Sequence, residues 1–228
     1  MTNPNYTDIS VLLDRSGSMH AIKTDTEGGF AAFIEEQKKT PGRCQVTLAQ
    51  FDDQYEVVYS DQPLASVPAL HLQPRGSTAL LDAIGRLITS TGERLAAMPE
   101  ADRPGSVIVV IMTDGLENAS REFTGAAVKG LIAEQSEKYG WTFVYLGANQ
   151  DAIAVGESLG VNRDRSMTYA GPQAAAAMRA TGANISSYRQ KVASGVGHDE
   201  ALASSVYTQE QREAATGEPD RASNNPRT

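Results

Sequence analysis

Six consecutive apolar residues, Val107-Ile108-Val109-Val110-Ile111-Met112, constrain this chain more than any other feature. A strand with one wet face alternates apolar and polar side chains, so a run without alternation requires cover on both faces, as in the middle of a parallel sheet flanked by helices. The run is far too short to cross a bilayer, which takes about 20 residues.

The segments around it repeat the strand and helix theme. Ile9, Val11, Leu12 and Leu13 form a short apolar run ending at Asp14, and Phe30, Phe33, Ile34 and Gln37 then recur at helical spacing up to Pro41-Gly42. Val46, Leu48 and Phe51, then Tyr55, Val57 and Tyr59, alternate on either side of Asp52-Asp53-Gln54. That is the pattern of two half-exposed strands in an antiparallel pair at a sheet edge. Leu80, Leu81, Ile84, Leu87, Ile88 and Leu95 mark a long amphipathic helix that stops before Pro99. Val128, Leu131, Ile132 and Gln135 mark another, closed by Gly140, and the strand Trp141 to Leu146 follows. A helix over 152–159, a short strand near Met167-Thr168-Tyr169 and an Ala-rich helix from Pro172 to about Val192 complete the series. The expected fold is α/β, a mostly parallel sheet with helices on both faces and one antiparallel edge strand. Residues 1–207 read as one domain with a C-terminal helical extension from about 160. Large apolar residues disappear after Thr208, so 208–228 reads as a flexible polar tail.

Composition narrows the function classes. With 20 Lys+Arg against 28 Asp+Glu the net charge is −8, which argues against a general nucleic-acid or anionic-membrane binder, since those concentrate positive charge on one face. The single cysteine, Cys44, has no internal disulfide partner and sits in an alternating segment that favours burial. The N-terminal residues have neither a basic region nor an apolar core of the secretory kind, and a cytoplasmic protein is expected.

In an open α/β sheet the functional loops leave the carboxyl ends of the strands. Here the first strand ends in Asp14-Arg15-Ser16-Gly17-Ser18, Gly76-Ser77-Thr78 precedes the long amphipathic helix, and the central run ends in Thr113-Asp114-Gly115. The fold would bring two carboxylates and three hydroxyls to one edge. An all-oxygen set without His or Cys favours Mg²⁺ or Mn²⁺, and less so Ca²⁺, over zinc or copper. An Asp-x-Ser-x-Ser string arises by chance in about one of twenty chains of this length, so position supplies the weight. Turn and helix-cap duty is the competing reading of the same residues. Asp82, one helical turn after Thr78, is open to either role: a hydrogen bond behind the metal, or an ordinary carboxylate near a helix N-terminus. His20, His71 and His198 have no metal-ligand spacing and read as solvent-exposed, Trp141, Phe143 and Tyr145 as one packed strand face, and Glu35-Glu36-Gln37-Lys38-Lys39 as the solvated face of the first helix.

Asp14-Arg15-Ser16-Gly17-Ser18-Met19, with Thr78 and Thr113-Asp114-Gly115, resembles the metal-ion-dependent adhesion site of von Willebrand factor type A domains. The similarity runs over roughly Tyr6 to Leu159, and the segments from Thr113 to Ala119 and from Leu146 to Asp151 resemble the bacterial and phage intracellular branch. The resemblance implies a three-layer, Rossmann-like fold. It implies that Ser16, Ser18 and Thr78 touch a divalent metal through their hydroxyls, while Asp14 and Asp114 bind it largely through water or hold the ligands in place. Such a set leaves the cation under-neutralised with an exchangeable position, and a carboxylate of another protein is its natural completion.

The resulting expectation is a non-enzymatic, metal-dependent protein-binding module whose partner presents an acidic side chain. Two alternatives stand beside it. A Mg²⁺-dependent hydrolase or phosphotransferase would need a nucleophile or base, yet Ser16 stands where a two-aspartate phosphatase wants a carboxylate, and neither a phosphate-binding Gly-x-x-x-x-Gly-Lys loop nor a Gly-x-Ser-x-Gly elbow is present. A scaffold subunit with a non-functional metal site is the other.

Overall fold

Along Val107 to Met112 every side chain is buried, and alternate residues belong to different cores. Ile108, Val110 and Met112 pack on one face of the sheet, Val107, Val109 and Ile111 on the other. The computed structural model describes residues 2–148 and 150–217. Its sheet has six strands: β1 (Asn3–Asp14), β2 (Arg43–Phe51), β3 (Tyr55–Pro63), β4 (Pro104–Thr113), β5 (Thr142–Ala148) and β6 (Ser166–Tyr169), in the spatial order β3-β2-β1-β4-β5-β6. All neighbours are parallel except β2 and β3, which pair antiparallel with Phe51 opposite Tyr55. The central register sets Val11 against Val110 and Leu13 against Met112. Each Val or Ile buried this fully contributes about 1.5–3 kcal/mol relative to exposure, so these two strands anchor both layers.

Helices cover both faces. α1 (Lys23–Lys38) and α5 (Ala174–Ala193) lie against Ile9, Val11, Leu13, Val46 and Leu48, while α2 (Leu80–Ala96) and α3 (Gly125–Tyr139) lie against Leu12, Phe51, Phe143 and Tyr145. The short α4 (Ala152–Ser158) leads toward β6. The small residues of α5 let it approach α1 closely, for a Cβ on Gly29 would stand 2.9 Å from the Ala175 Cα.

Four expectations need correction. β2 is not half-exposed: Val46 to Phe51 are all buried, because β1 flanks this strand and helices cover it, and its polar residues Thr47 and Gln50 are buried with the rest. Exposure falls mainly on β3, where Val57 and Val58 are open to solvent. Gln37 is not on the solvated face of α1. It is fully buried and donates to the Gly182 carbonyl (2.8 Å), while its own carbonyl accepts from buried Arg189 (3.0 Å). His198 is half-buried, with Nδ1 2.8 Å from the Tyr188 hydroxyl, whereas His20 and His71 are exposed as expected. The polar tail does not begin at 208. After α6 (His198–Ala203), Thr208 opens α7 (Gln209–Thr216) with a capping box to Gln211, and Ala215 is buried. Arg212 donates to the Ser166 carbonyl (2.8 Å) and Ala170 N–H to the Ala215 carbonyl (2.9 Å), so this polar helix covers the short β6 edge through small residues and backbone bonds. Residues 218–228, and Asn149 within the segment from Leu146 to Asp151, lie outside the described residues. No helix among the described residues is long and apolar enough to cross a membrane.

Candidate metal centre

The strand order reverses between β1 and β4: from β1 the chain crosses to β2 on one side, and later strands build outward from β4 on the other. Loops leaving two such strands diverge and leave a crevice at their carboxyl ends. Asp14 is the last residue of β1, and Asp114 follows the last residue of β4.

Asp14 is completely buried, and its carboxylate turns the chain by accepting the Ser16 N–H (2.6 Å). Its second oxygen accepts the Thr113 hydroxyl (2.6 Å), tying β1 to β4. Ser16 Oγ lies 3.2 Å from Ser18 Oγ, and the Ser18 hydroxyl donates to Asp114 Oδ1 (2.7 Å). A continuous polar chain therefore runs from Asp14 through the two serines to Asp114.

Thr78 joins from a third loop. Its N–H donates to the Asn118 side chain (2.9 Å) and its carbonyl accepts the Asn118 N–H (3.0 Å), which pins it to the loop after Asp114. The Thr78 hydroxyl is close enough to Gly115 that a Cβ there would come within 3.0 Å of it. The same loop is fastened to the first one, with Gly17 N–H on the Gly76 carbonyl (3.2 Å) and Arg75 N–H on the Arg15 carbonyl (2.8 Å). Gly76 takes φ +69°, a left-handed conformation that favours glycine. All five residues expected as ligands, Asp14, Ser16, Ser18, Thr78 and Asp114, thus stand on one edge.

Burial pushes the Asp14 carboxyl up to about 6, against the pull of its Thr113 and Ser16 hydrogen bonds and with added repulsion from Asp114. Burial likewise raises Asp114, which the Ser18 hydroxyl only partly offsets. Two carboxylates that resist ionisation beside three hydroxyls lack a positive charge, and the donor set fits a hard divalent cation. Among the described residues no group of three or more His, Cys, Asp or Glu side chains is arranged to hold a metal.

Asp82 turns out to be a loop clasp. Its carboxylate accepts the N–H groups of Arg121 (2.8 Å), Glu122 (2.9 Å) and Phe123 (2.8 Å). Sequence reasoning missed Arg15, Asp52, Glu117 and Asn118. Arg15 is buried and bonds Asp52 (3.0 Å) and Glu56 (2.6 Å), and Arg75 also bonds Asp52 (2.7 Å), which holds the hairpin turn under the first loop. The only sequence signal was the spacing of an Arg inside the first motif and an Asp pair in the turn.

No protein-family model matches the chain, and no curated protein matches it in sequence. Solved structures do match. Proximal thread matrix protein 1 from the mussel byssus superposes with a TM-score of 0.57 at 18% identity, over 82% of this chain and 48% of that one. This chain therefore spans about half the length of that protein. The von Willebrand factor type A protein of Catenulispora acidiphila gives 0.54 at 16% identity, covering 79% of this chain and 43% of the other. The vWF domain of the type V pili tip protein Mfa5 from Porphyromonas gingivalis gives 0.54 at 13% identity, covering 84% and 96%. At these identities the likeness speaks to architecture, and on that ground this chain has the von Willebrand factor type A fold.

Proposed function

We propose that this protein is a non-enzymatic, divalent-cation-dependent protein-binding module, with Mg²⁺ or Mn²⁺ held by Ser16, Ser18 and Thr78 and steadied by Asp14 and Asp114. The observation that carries the reading is the polar chain from Asp14 through Ser16 and Ser18 to Asp114 across the strand-order reversal, ending on two carboxylates that burial keeps from ionising freely. Three neutral hydroxyls and two carboxylates leave an octahedral cation with exchangeable water. A carboxylate from another protein replaces that water and supplies negative charge by a direct bond, so affinity for the partner follows the metal. The fold shared with a pilus tip domain and a byssus matrix protein is compatible with such a role.

The test is calorimetric titration of chelator-treated protein with Mg²⁺ and Mn²⁺, beside a folded Asp14→Ala/Ser16→Ala/Ser18→Ala variant. The expected result is saturable binding by the wild type that the variant loses. Absence of wild-type binding at millimolar ion overturns the free-standing clamp.

A further inference from the structure

The helix that follows Thr78 has no cap of its own. Ala79 stands at the cap position of α2 without a side-chain oxygen, so the N–H groups of the first turn need acceptors from elsewhere. The loop after Asp114 supplies them. Glu117 Oε2 accepts the Leu81 N–H (2.9 Å) and Ser120 Oγ the Asp82 N–H (3.0 Å), at the second and third helical positions that a capping side chain ordinarily serves. Asp82 answers by accepting the N–H groups of Arg121, Glu122 and Phe123. The exchange is reciprocal, as in a capping box, but it joins segments 36 to 41 residues apart.

Two further contacts extend it. Asn118 holds Thr78 by both main-chain groups, taking its N–H on Oδ1 (2.9 Å) and giving its own N–H to the Thr78 carbonyl (3.0 Å). The Phe123 ring lies on Gly85, where a Cβ would come 2.5 Å from it. None of these contacts uses a side chain expected to face the cation. The Ser18 bond to Asp114, by contrast, occupies oxygens that a cation would claim, and it has to yield when one binds.

We propose, resting on the cation reading above, that residues 117–123 and the first turns of α2 form a preset bracket, in which Glu117 and Asn118 are positioning residues that hold Thr78 against Asp114 before any cation arrives. A site gathered only on binding loses part of its affinity to the ordering of its loops, and a preset one does not. Cation affinity then depends on the main-chain bonds of Thr78 as well as on the ligands themselves.

Hydrogen exchange of the full chain, resolved to single amides by NMR near pH 7, tests the bracket in chelator and in saturating Mg²⁺. In chelator the amides of Thr78, Leu81, Asp82 and residues 119–123 are expected to exchange at least about 100-fold more slowly than in an unfolded chain, and to change by less than about tenfold in Mg²⁺. Ready exchange in chelator, or a larger gain of protection in Mg²⁺, overturns the proposal, because the cation then assembles the site. Calorimetry at a temperature where each variant is folded reads the positioning role. Asn118→Ala is expected to weaken Mg²⁺ binding about 10–100-fold, while Asn118→Asp, which keeps an acceptor for the Thr78 N–H, is not weakened. Equal affinity in the wild type and Asn118→Ala overturns that role. Protected amides in chelator without any wild-type Mg²⁺ binding keep the bracket and overturn the cation reading, and the positioning role with it.

Discussion

Two kinds of carboxylate share the carboxyl edge of the sheet. Asp82 accepts three backbone N–H groups, and Glu117 accepts those of Leu81, Ala119 and Ser120 together with the Ser120 hydroxyl. Burial pushes both acids up, yet these donors hold both below their ordinary values. Asp14 has one N–H and one hydroxyl, Asp114 a single side-chain hydroxyl, and both end above the ordinary range because burial wins. The difference separates structure from function. A carboxylate fully served by amide dipoles is finished when the chain folds, whereas Asp14 and Asp114, with fewer donors and hydroxyls among them, are the ones that we propose a cation completes.

The sharpest way to break this division is to exchange the consequences. Asp14→Ala and Asp114→Ala are expected to lower divalent affinity by about 100-fold or more, beyond the 10–100-fold typical of residues behind a metal's own ligands, with Asp114→Ala costing little stability in chelator. Calorimetry and urea unfolding of the same samples check both halves. Asp82→Ala should show the reverse weighting. It frees three N–H groups of the 121–123 loop, costing about 1–3 kcal/mol in urea unfolding, while cation binding survives with reduced affinity.

Acidity separates the two kinds by sign. Asp82 and Glu117 have folded-state values below 3.8 and 4.5, so they bind fewer protons folded than unfolded. Their contribution is full above about pH 4.5 and disappears as the pH falls through the folded-state values, seen as faster amide exchange in the 117–123 loop. Asp14 moves from 3.8 up to about 6, so in the cation-free protein its contribution is present below 3.8 and is lost as the pH rises through 6. Urea midpoints between about pH 4 and 6 in chelator should carry that slope, and saturating Mg²⁺ should remove it. The smallest effect is expected from Ser120→Ala, which removes the hydroxyl bonds to Glu117 and to the Asp82 N–H and should cost about 1 kcal/mol without changing cation affinity.

The periodicity of Leu80 to Leu95 sufficed to mark α2, and the unbroken run from Val107 to Met112 sufficed to mark the strand with two covered faces, because burial on one stripe or on both leaves a direct trace in residue order. The five oxygen residues were legible for a similar reason: each lies just past a strand or just before a helix, where open α/β sheets place their sites. Gln37, Arg189 and Gln50 were not legible. Their side chains are polar and their burial depends on partners or cover from distant segments: the bonds of Gln37 and Arg189 join positions more than 140 residues apart. α7 escaped notice because it buries small side chains and backbone bonds instead of a large apolar stripe.

By itself the sequence determined the layered α/β plan and the chemistry of the candidate ligands, since hydrophobic periodicity and donor type are local properties. Only the tertiary structure decided which acids are already satisfied by amide donors and which are left with fewer donors. It also decided where Gln37 and Arg189 find their partners, because both outcomes depend on which distant segments the folded chain places around each group.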